Sequence, residues 1–176
     1  METDITLRDG TSVHLRHIRP EDDHALIDAF HRMSPQTIYQ RFFAALPELS
    51  GPMAWHLSNL NSANRMALIA EIGGELAAVG RYERTADPQV VELGLVVLDA
   101  WQGRGLGRIL LRATLDQAAG HGIRRFRADV LSENPRMLHL LASELQICES
   151  RSQAGVTTLL LSPLDSSTVE TAKIDS

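Results

Sequence analysis

The sequence predicts a mixed α/β fold, one sheet with helices on both of its faces. Three observations carry this. Short runs alternate apolar and polar residues with a period of two, the mark of strands. Other stretches place apolar residues at helical spacing. The run "VVELGLVVL" is joined to "RRFRADVLS" by the helical pattern "GRILLRATLDQAAGHG". That strand–helix–strand unit should be a right-handed crossover between parallel strands.

The elements follow in order. "ITLRDGTSVHLRHI" alternates around Asp9-Gly10, a pair that favours a two-residue hairpin turn. Pro20 opens "PEDDHALIDAFHRM", with acids in its first helical turn. "SPQTIYQRFFAAL" starts a second helix, with Ser34 as N-cap and Pro35 at its first position. A short third helix is expected over 52–60. "RMALIAEIGGELAAVGRYER" reads as two strands turning at Gly73-Gly74. The crossover unit comes next, then the helix "NPRMLHLLASEL" and strands at 147–152 and 156–161. One domain over 1–164 is expected, with the polar residues 165–176 as a frayed tail.

Bulk properties narrow the function. At 176 residues, 44% hydrophobic and 22% charged, the chain fits one soluble domain with its own core. A net charge of -5 and a pI near 5.8 argue against a nucleic-acid partner. No apolar run approaches the ~20 residues that span a bilayer, and the N-terminus lacks a signal-peptide pattern. The single cysteine, Cys148, rules out an internal disulfide and fits a reducing cytoplasm; it reads as a small buried hydrophobe rather than a nucleophile. The histidines show no HExxH pairing, so no metal is expected.

Chemistry concentrates at Gly103, Gly105 and Gly107, between a strand's end and a helix's start. Glycines let backbone N–H groups turn toward a ligand, and the helix adds its unpaired N–H groups and positive dipole end. This is an anion site, most naturally for a pyrophosphate. Arg104, Arg108 and Arg112 recur every fourth residue, a basic face suited to a further phosphate. The dinucleotide fingerprint needs its third glycine one position later, and no Gly-Lys pair exists for a nucleotide P-loop.

"QGRGLG", Gln102 to Gly107, resembles the Q/R-x-x-G-x-G/A motif of the GNAT superfamily of acyl-CoA-dependent N-acyltransferases, and the element order matches that fold from Arg16 to about Pro163. The segments "IRPEDDHAL" and "SPQTIYQRFF" resemble the bacterial protein-lysine acetyltransferases of the Pat type. The resemblance implies a mostly antiparallel sheet with a splayed parallel central pair, and acetyl-CoA as co-substrate. It implies that Val96 and Val97 carry the main chain that pairs with the pantetheine arm. Cofactor binding would run from Gln102 through the motif, with the N–H groups of Gly103, Arg104, Gly105, Leu106, Gly107 and Arg108 holding the pyrophosphate. Asn134 would contact the cofactor near its pantetheine end, and is equally good as a helix N-cap.

Glu92 interrupts an apolar strand. An unpaired carboxylate between two helix layers is costly, so it must be paired, at an edge, or open to a cleft. A salt bridge to Arg81 or Arg65 is one reading. The other is chemical, because an amine must lose a proton before it attacks a thioester, and a carboxylate can take it. The resemblance makes Glu92 the expected general base. A strand N–H near Val97 would stabilise charge on the carbonyl. Two departures from the family pattern stand out. Leu141 occupies the place of the tyrosine that often protonates the leaving thiolate, with His139 the nearest proton donor by sequence; Leu145-Gln146 replaces a Gly-Phe, which bears on the last two strands.

The resulting expectation is a cytoplasmic acetyl-CoA-dependent N-acetyltransferase, monomer or homodimer, with no membrane partner. Its acceptor would be a protein lysine, such as the active-site lysine of an acyl-CoA synthetase, and the net acidity favours a basic target segment. A small-molecule amine acceptor, or an inert acyl-CoA-binding module, are the alternatives.

Overall fold

Alternating sequence becomes one eight-stranded sheet in the computed structural model, which describes residues 2–60 and 65–164. In chain order the strands are β1 (Glu2–Thr6), β2 (Ser12–His17), β3 (Arg65–Ile72), β4 (Glu75–Arg84), β5 (Val90–Val97), β6 (Arg125–Leu131), β7 (Leu145–Gln153) and β8 (Val156–Pro163). The helices are α1 (Asp23–His31), α2 (Pro35–Phe42), α3 (Gly51–Ser58), α4 (Leu106–Gly120) and α5 (Pro135–Glu144). In space the strands run β1-β2-β3-β4-β5-β6-β8-β7, and among the described residues only β5 and β6 are parallel. The expected tail, 165–176, lies outside the described residues.

The expected boundaries hold with local corrections. The first hairpin has a three-residue loop, Arg8 to Gly10, instead of a two-residue turn. Its Gly10 N–H bonds the Leu7 carbonyl at 3.0 Å and its Leu7 N–H bonds the Thr11 carbonyl at 2.9 Å. Ser34 caps α2 as expected, its hydroxyl accepting from the Thr37 N–H at 3.2 Å, with Pro35 beginning the helix. Helix α4 starts at Leu106, so Arg104 belongs to the loop. Helix α5 passes into β7 at Leu145 without a glycine, because Leu145 is extended and buried. The missing Gly-Phe leaves β7 and β8 fully paired, with an irregularity between Ile147 and Glu149. That bulge holds Cys148, which is exposed, contrary to expectation, because an edge strand has no layer to cover it.

Two apolar layers sandwich the sheet. One packs α4 and α5 against Leu68, Tyr82, Val91 and Phe126; the other packs α1, α2 and α3 against Ala67, Ile69, Val79 and Val96. A fully buried large side chain contributes about 1.5–3 kcal/mol, so these layers supply most of the driving force. Helix α4 lies unusually close to β4: a Cβ at Gly80 would come within 2.6 Å of Thr114 Oγ1 and 2.9 Å of Leu110 Cγ. The entry to α1 is pinned by charge. Arg16 donates to both Asp22 oxygens at 2.8 Å and to Glu71 at 2.6 Å, all three side chains being largely buried.

Candidate active site

The site begins where two parallel strands separate. β5 and β6 pair only over Val90–Glu92 and Arg125–Arg127, and beyond Glu92 they diverge. Leu98 bonds Ala77 through its N–H at 2.9 Å. With the β4–β5 register, this turns the main chain of Glu92, Gly94 and Val96 toward β4. The main chain of Leu93, Leu95 and Val97 therefore faces the gap. Of the expected pair Val96 and Val97, it is Val97 that faces the cleft with its backbone; the Val96 side chain is buried in the α1–α3 layer. The gap opens into a cavity of about 500 Å³.

One end of this cavity is main chain. Gly105 is the N-cap of α4 with φ 87°, and no side chain caps the helix. The N–H groups of Leu106, Gly107 and Arg108 consequently have no partner within the helix. Gly103 is also left-handed, at φ 76°, so both positions favour glycine. Gly107 faces the cleft, where a Cβ would lie 3.5 Å from Val97 Cγ2 and 3.6 Å from Leu140 Cδ2. A methyl fits there and a longer side chain would occupy the passage. The uncapped helix and open strand edge suit a pyrophosphate joined to an extended amide-bearing arm.

Side chains lock this loop to α2. Gln102 Nε2 donates to the Val97 carbonyl at 3.0 Å and to Thr37 Oγ1 at 3.2 Å. Asp99 accepts from the Ser34 N–H at 2.9 Å, the Ser34 hydroxyl at 2.7 Å and the Thr37 hydroxyl at 2.9 Å. Burial alone would raise the Asp99 carboxyl; the hydrogen bonds from Ser34 and Thr37 outweigh it and hold it below its ordinary value. Asn134 lines the cavity and caps α5, accepting from the Met137 N–H at 3.1 Å.

The expected basic face of α4 is not free. Arg108 and Arg112 converge on Glu144 of α5, at 3.1 Å and 2.6 Å. Glu144 is almost wholly covered where the helices meet, so its charge requires these partners. Arg104 stacks over the Trp101 ring at 4.9 Å and reaches Asp9 at 3.4 Å. The loop's anion-binding capacity is therefore mainly backbone.

The other end of the cavity is charged side chains. Glu92 is exposed to the cleft, the resolution of its place in an apolar strand. The anticipated ion pair to Arg65 or Arg81 is not formed among the described residues. Both arginines turn to Glu83, at 3.2 Å and 3.8 Å, because Glu83 stands between Arg65 and Glu92 in the register. Arg41 of α2 reaches over β5, its Nη2 3.0 Å from where a Cβ on Gly94 would sit. Burial pulls the Arg41 guanidinium below its ordinary value, partly offset by the charge of Glu92. Burial, then the proximity of Arg41 and Arg65, draws Arg81 down to about 10, still cationic at neutral pH. Asp129 lines the same wall, held by Thr158 at 2.6 Å and Arg127 at 2.8 Å.

Leu141 lines the cavity as pure hydrocarbon, and His139 is on the exposed side of α5, away from the lining. Neither supplies a proton donor in the cleft. Sequence reasoning missed Arg41, Thr37, Asp99 and Asp129, and placed Arg81 only as a possible partner of Glu92. The available signal was Gly94, two residues after an acid within a strand, which marks a close approach by another element. Among the described residues no cluster of His, Cys, Asp and Glu could hold a metal, and no helix is long and apolar enough to cross a membrane.

Comparison with known proteins agrees with this geometry. The profile of the Acetyltransferase (GNAT) family matches residues 25–145. An acetyltransferase of Pseudomonas aeruginosa is 32% identical over 124 residues, 68% of this chain and 67% of its own. Acetyltransferase Pat of Mycolicibacterium smegmatis is 27% identical over 97% of this chain, which spans only 52% of that relative's length. The solved GNAT domain of S. lividans PAT superposes with a TM-score of 0.83 at 32% identity, covering 92% of this chain and 96% of that one. A glycine loop at an uncapped helix, a splayed parallel pair and these likenesses lead to one conclusion: the chain belongs to the GNAT family of acetyl-CoA-dependent acetyltransferases.

Proposed function

We propose that this acetyltransferase acts on lysine side chains of proteins, with Glu92 as general base. The observation that carries the chemistry is Glu92, an exposed carboxylate in an apolar strand, at the cavity wall where β5 and β6 part. A lysine amine with an ordinary pKa near 10.4 is neutral in only about one molecule in a few thousand at pH 7. Removing its proton accounts for roughly 4–5 kcal/mol of the task. Glu92 takes that proton directly or through a water. Acetyl-CoA supplies the activated acyl group. The α4 N–H groups and the open edge of β5 would hold it, and the Asp99–Thr37–Gln102 network sets the loop against α2.

Two features support a protein acceptor over a free amine. The likeness to Pat proteins extends through α2, the helix bordering the Glu92 end of the cleft. Tyr39 of α2 and Phe43, which caps that helix, are 43% and 38% exposed, with Phe43 also lining the cavity. Exposed aromatic rings at a cavity mouth suit contact with another protein's surface. Incubation with acetyl-CoA and candidate proteins, including an acyl-CoA synthetase, followed by mass-spectrometric mapping of acetyl-lysine, tests this. Enzyme-dependent modification of discrete lysines is expected. Efficient transfer to free amines with no protein modification would overturn the acceptor while leaving the family intact.

A further inference from the structure

The Glu92 end of the cleft carries more positive charge than its neighbours balance. Four guanidinium groups, Arg41, Arg65, Arg81 and Arg127, face three carboxylates, Glu83, Glu92 and Asp129, and Arg127 is held by Asp129 at 2.8 Å. Arg65 and Arg81 share Glu83. Arg65 also donates to the His56 carbonyl at 3.0 Å, which leaves Arg41 as the uncommitted cation. Among the described residues its guanidinium donates no hydrogen bond; its contacts are the Phe42 ring at 5.4 Å and the field of Glu92. It lines the cavity and is partly withdrawn from water. Withdrawing a cation from water without a partner is costly, so the arrangement calls for an anion.

The geometry restricts where that anion comes from. Arg41 sits over Gly94, on the same side of β5 as Glu92 and two residues further along. Those positions are about 7 Å apart along the strand. The pyrophosphate loop begins beyond Val97, roughly another 10 Å along, and presents its own unpaired N–H groups. The acyl donor's phosphates therefore have their place at the far end. The anion at Arg41 must arrive with the acceptor.

Resting on the acetyltransferase reading above, we infer that Arg41 is a specificity residue that selects amine acceptors bearing a carboxylate within about 7 Å of the reacting amine, in a protein an acidic residue beside the target lysine. This reverses the expectation drawn from net charge. The whole chain carries -5, yet the wall the acceptor meets has one positive charge in excess. A protonated lysine flanked by further lysines or arginines would be repelled by Arg41 and Arg81. An adjacent carboxylate neutralises Arg41 through a charge-assisted, two-pronged pair and leaves Glu92 to receive the proton.

The test compares equal-length peptides with one central lysine flanked by Glu, Ala or Arg, using the intact wild-type enzyme and acetyl-CoA. The acidic peptide should have a kcat/KM about tenfold or more above the neutral one, with the basic peptide lowest. In Arg41→Gln the acidic peptide's KM should rise about tenfold while its kcat and the neutral peptide's KM hold. If the variant misfolds, the wild-type ranking alone decides. Equal kcat/KM for all three peptides overturns the inference. So does an equal fall in kcat for all three in Arg41→Gln, which would place Arg41 at the reacting carbonyl instead. If no peptide is acetylated, the protein-lysine reading fails separately; small carboxylate-bearing amines against their amides then decide for Arg41, and equal rates overturn it.

Discussion

The two ends of the cleft are built on opposite plans. The donor end, from Val97 to Arg108, is mainly backbone: N–H groups at an uncapped helix, a strand edge opened by divergence, and glycines that keep side chains away. The other end is lined by side chains from three separate elements, Arg41 of α2, Glu92 of β5 and Asp129 of β6, with Arg81 and Glu83 of β4 beside them. Backbone recognition suits an unvarying ligand, because a main-chain donor is present whatever residue supplies it. Side-chain recognition suits a ligand that differs between enzymes, because substituting one residue changes the charge the site demands. On the function proposed above, the contrast puts common chemistry at one end and selectivity at the other.

The sharpest way to break this comparison is Glu92→Gln. It keeps size and hydrogen-bonding capacity but removes the base, so turnover should fall about 10²- to 10⁴-fold while acetyl-CoA affinity holds. Steady-state rates and calorimetry read the two halves independently. Unchanged turnover would make Glu92 structural. At the donor end, Gly107→Glu should weaken acetyl-CoA binding by about tenfold or more, because a long anionic side chain would fill the passage between Val97 and Leu140. Gly107→Ala sharpens the point. Its Cβ would make ordinary contacts at 3.5 Å and 3.6 Å, so affinity should stay near wild type.

The hinge between the two ends is Asp99. Asp99→Ala removes three hydrogen bonds from the start of α2 and should lower stability by about 1–2 kcal/mol, measured by chemical unfolding. The sign with pH follows from its carboxyl being held below the ordinary 3.8 in the folded state. Its contribution is complete above that ordinary value and is lost as pH falls through the folded one. Wild type and variant should therefore converge in strong acid. The smallest effect is expected at Arg112, which reaches the covered Glu144 from the solvent side and shares it with Arg108. Arg112→Ala should lower stability only slightly, since Arg108 still pairs Glu144, with less loss in high salt and acetyl-CoA affinity retained. A large loss of affinity would return this face of α4 to the phosphate-binding role its spacing suggested.

The donor end was legible because its information is contiguous. Six adjacent residues, Gln102 to Gly107, make a turn and an uncapped helix start by local backbone preference alone. The Ser34 cap and the Gly73-Gly74 turn were legible for the same reason. The arginine stripe misled because spacing places side chains on one helix face without saying what packs there, and Glu144 lies 32 residues away from Arg112. Cys148 misled because burial depends on whether a strand ends up central or at an edge.

By itself, then, the sequence determined the elements, the parallel crossover, the glycine loop and the oddity of Glu92, all set within a few residues by period, turn and cap. Only the tertiary structure decided that β5 and β6 part just past Glu92, that Arg41 comes over Gly94, and that Arg65 and Arg81 are taken by Glu83. Those are long-range electrostatic and packing choices. A carboxylate settles against whichever cation the sheet register and helix docking bring near, and no local pattern specifies that partner.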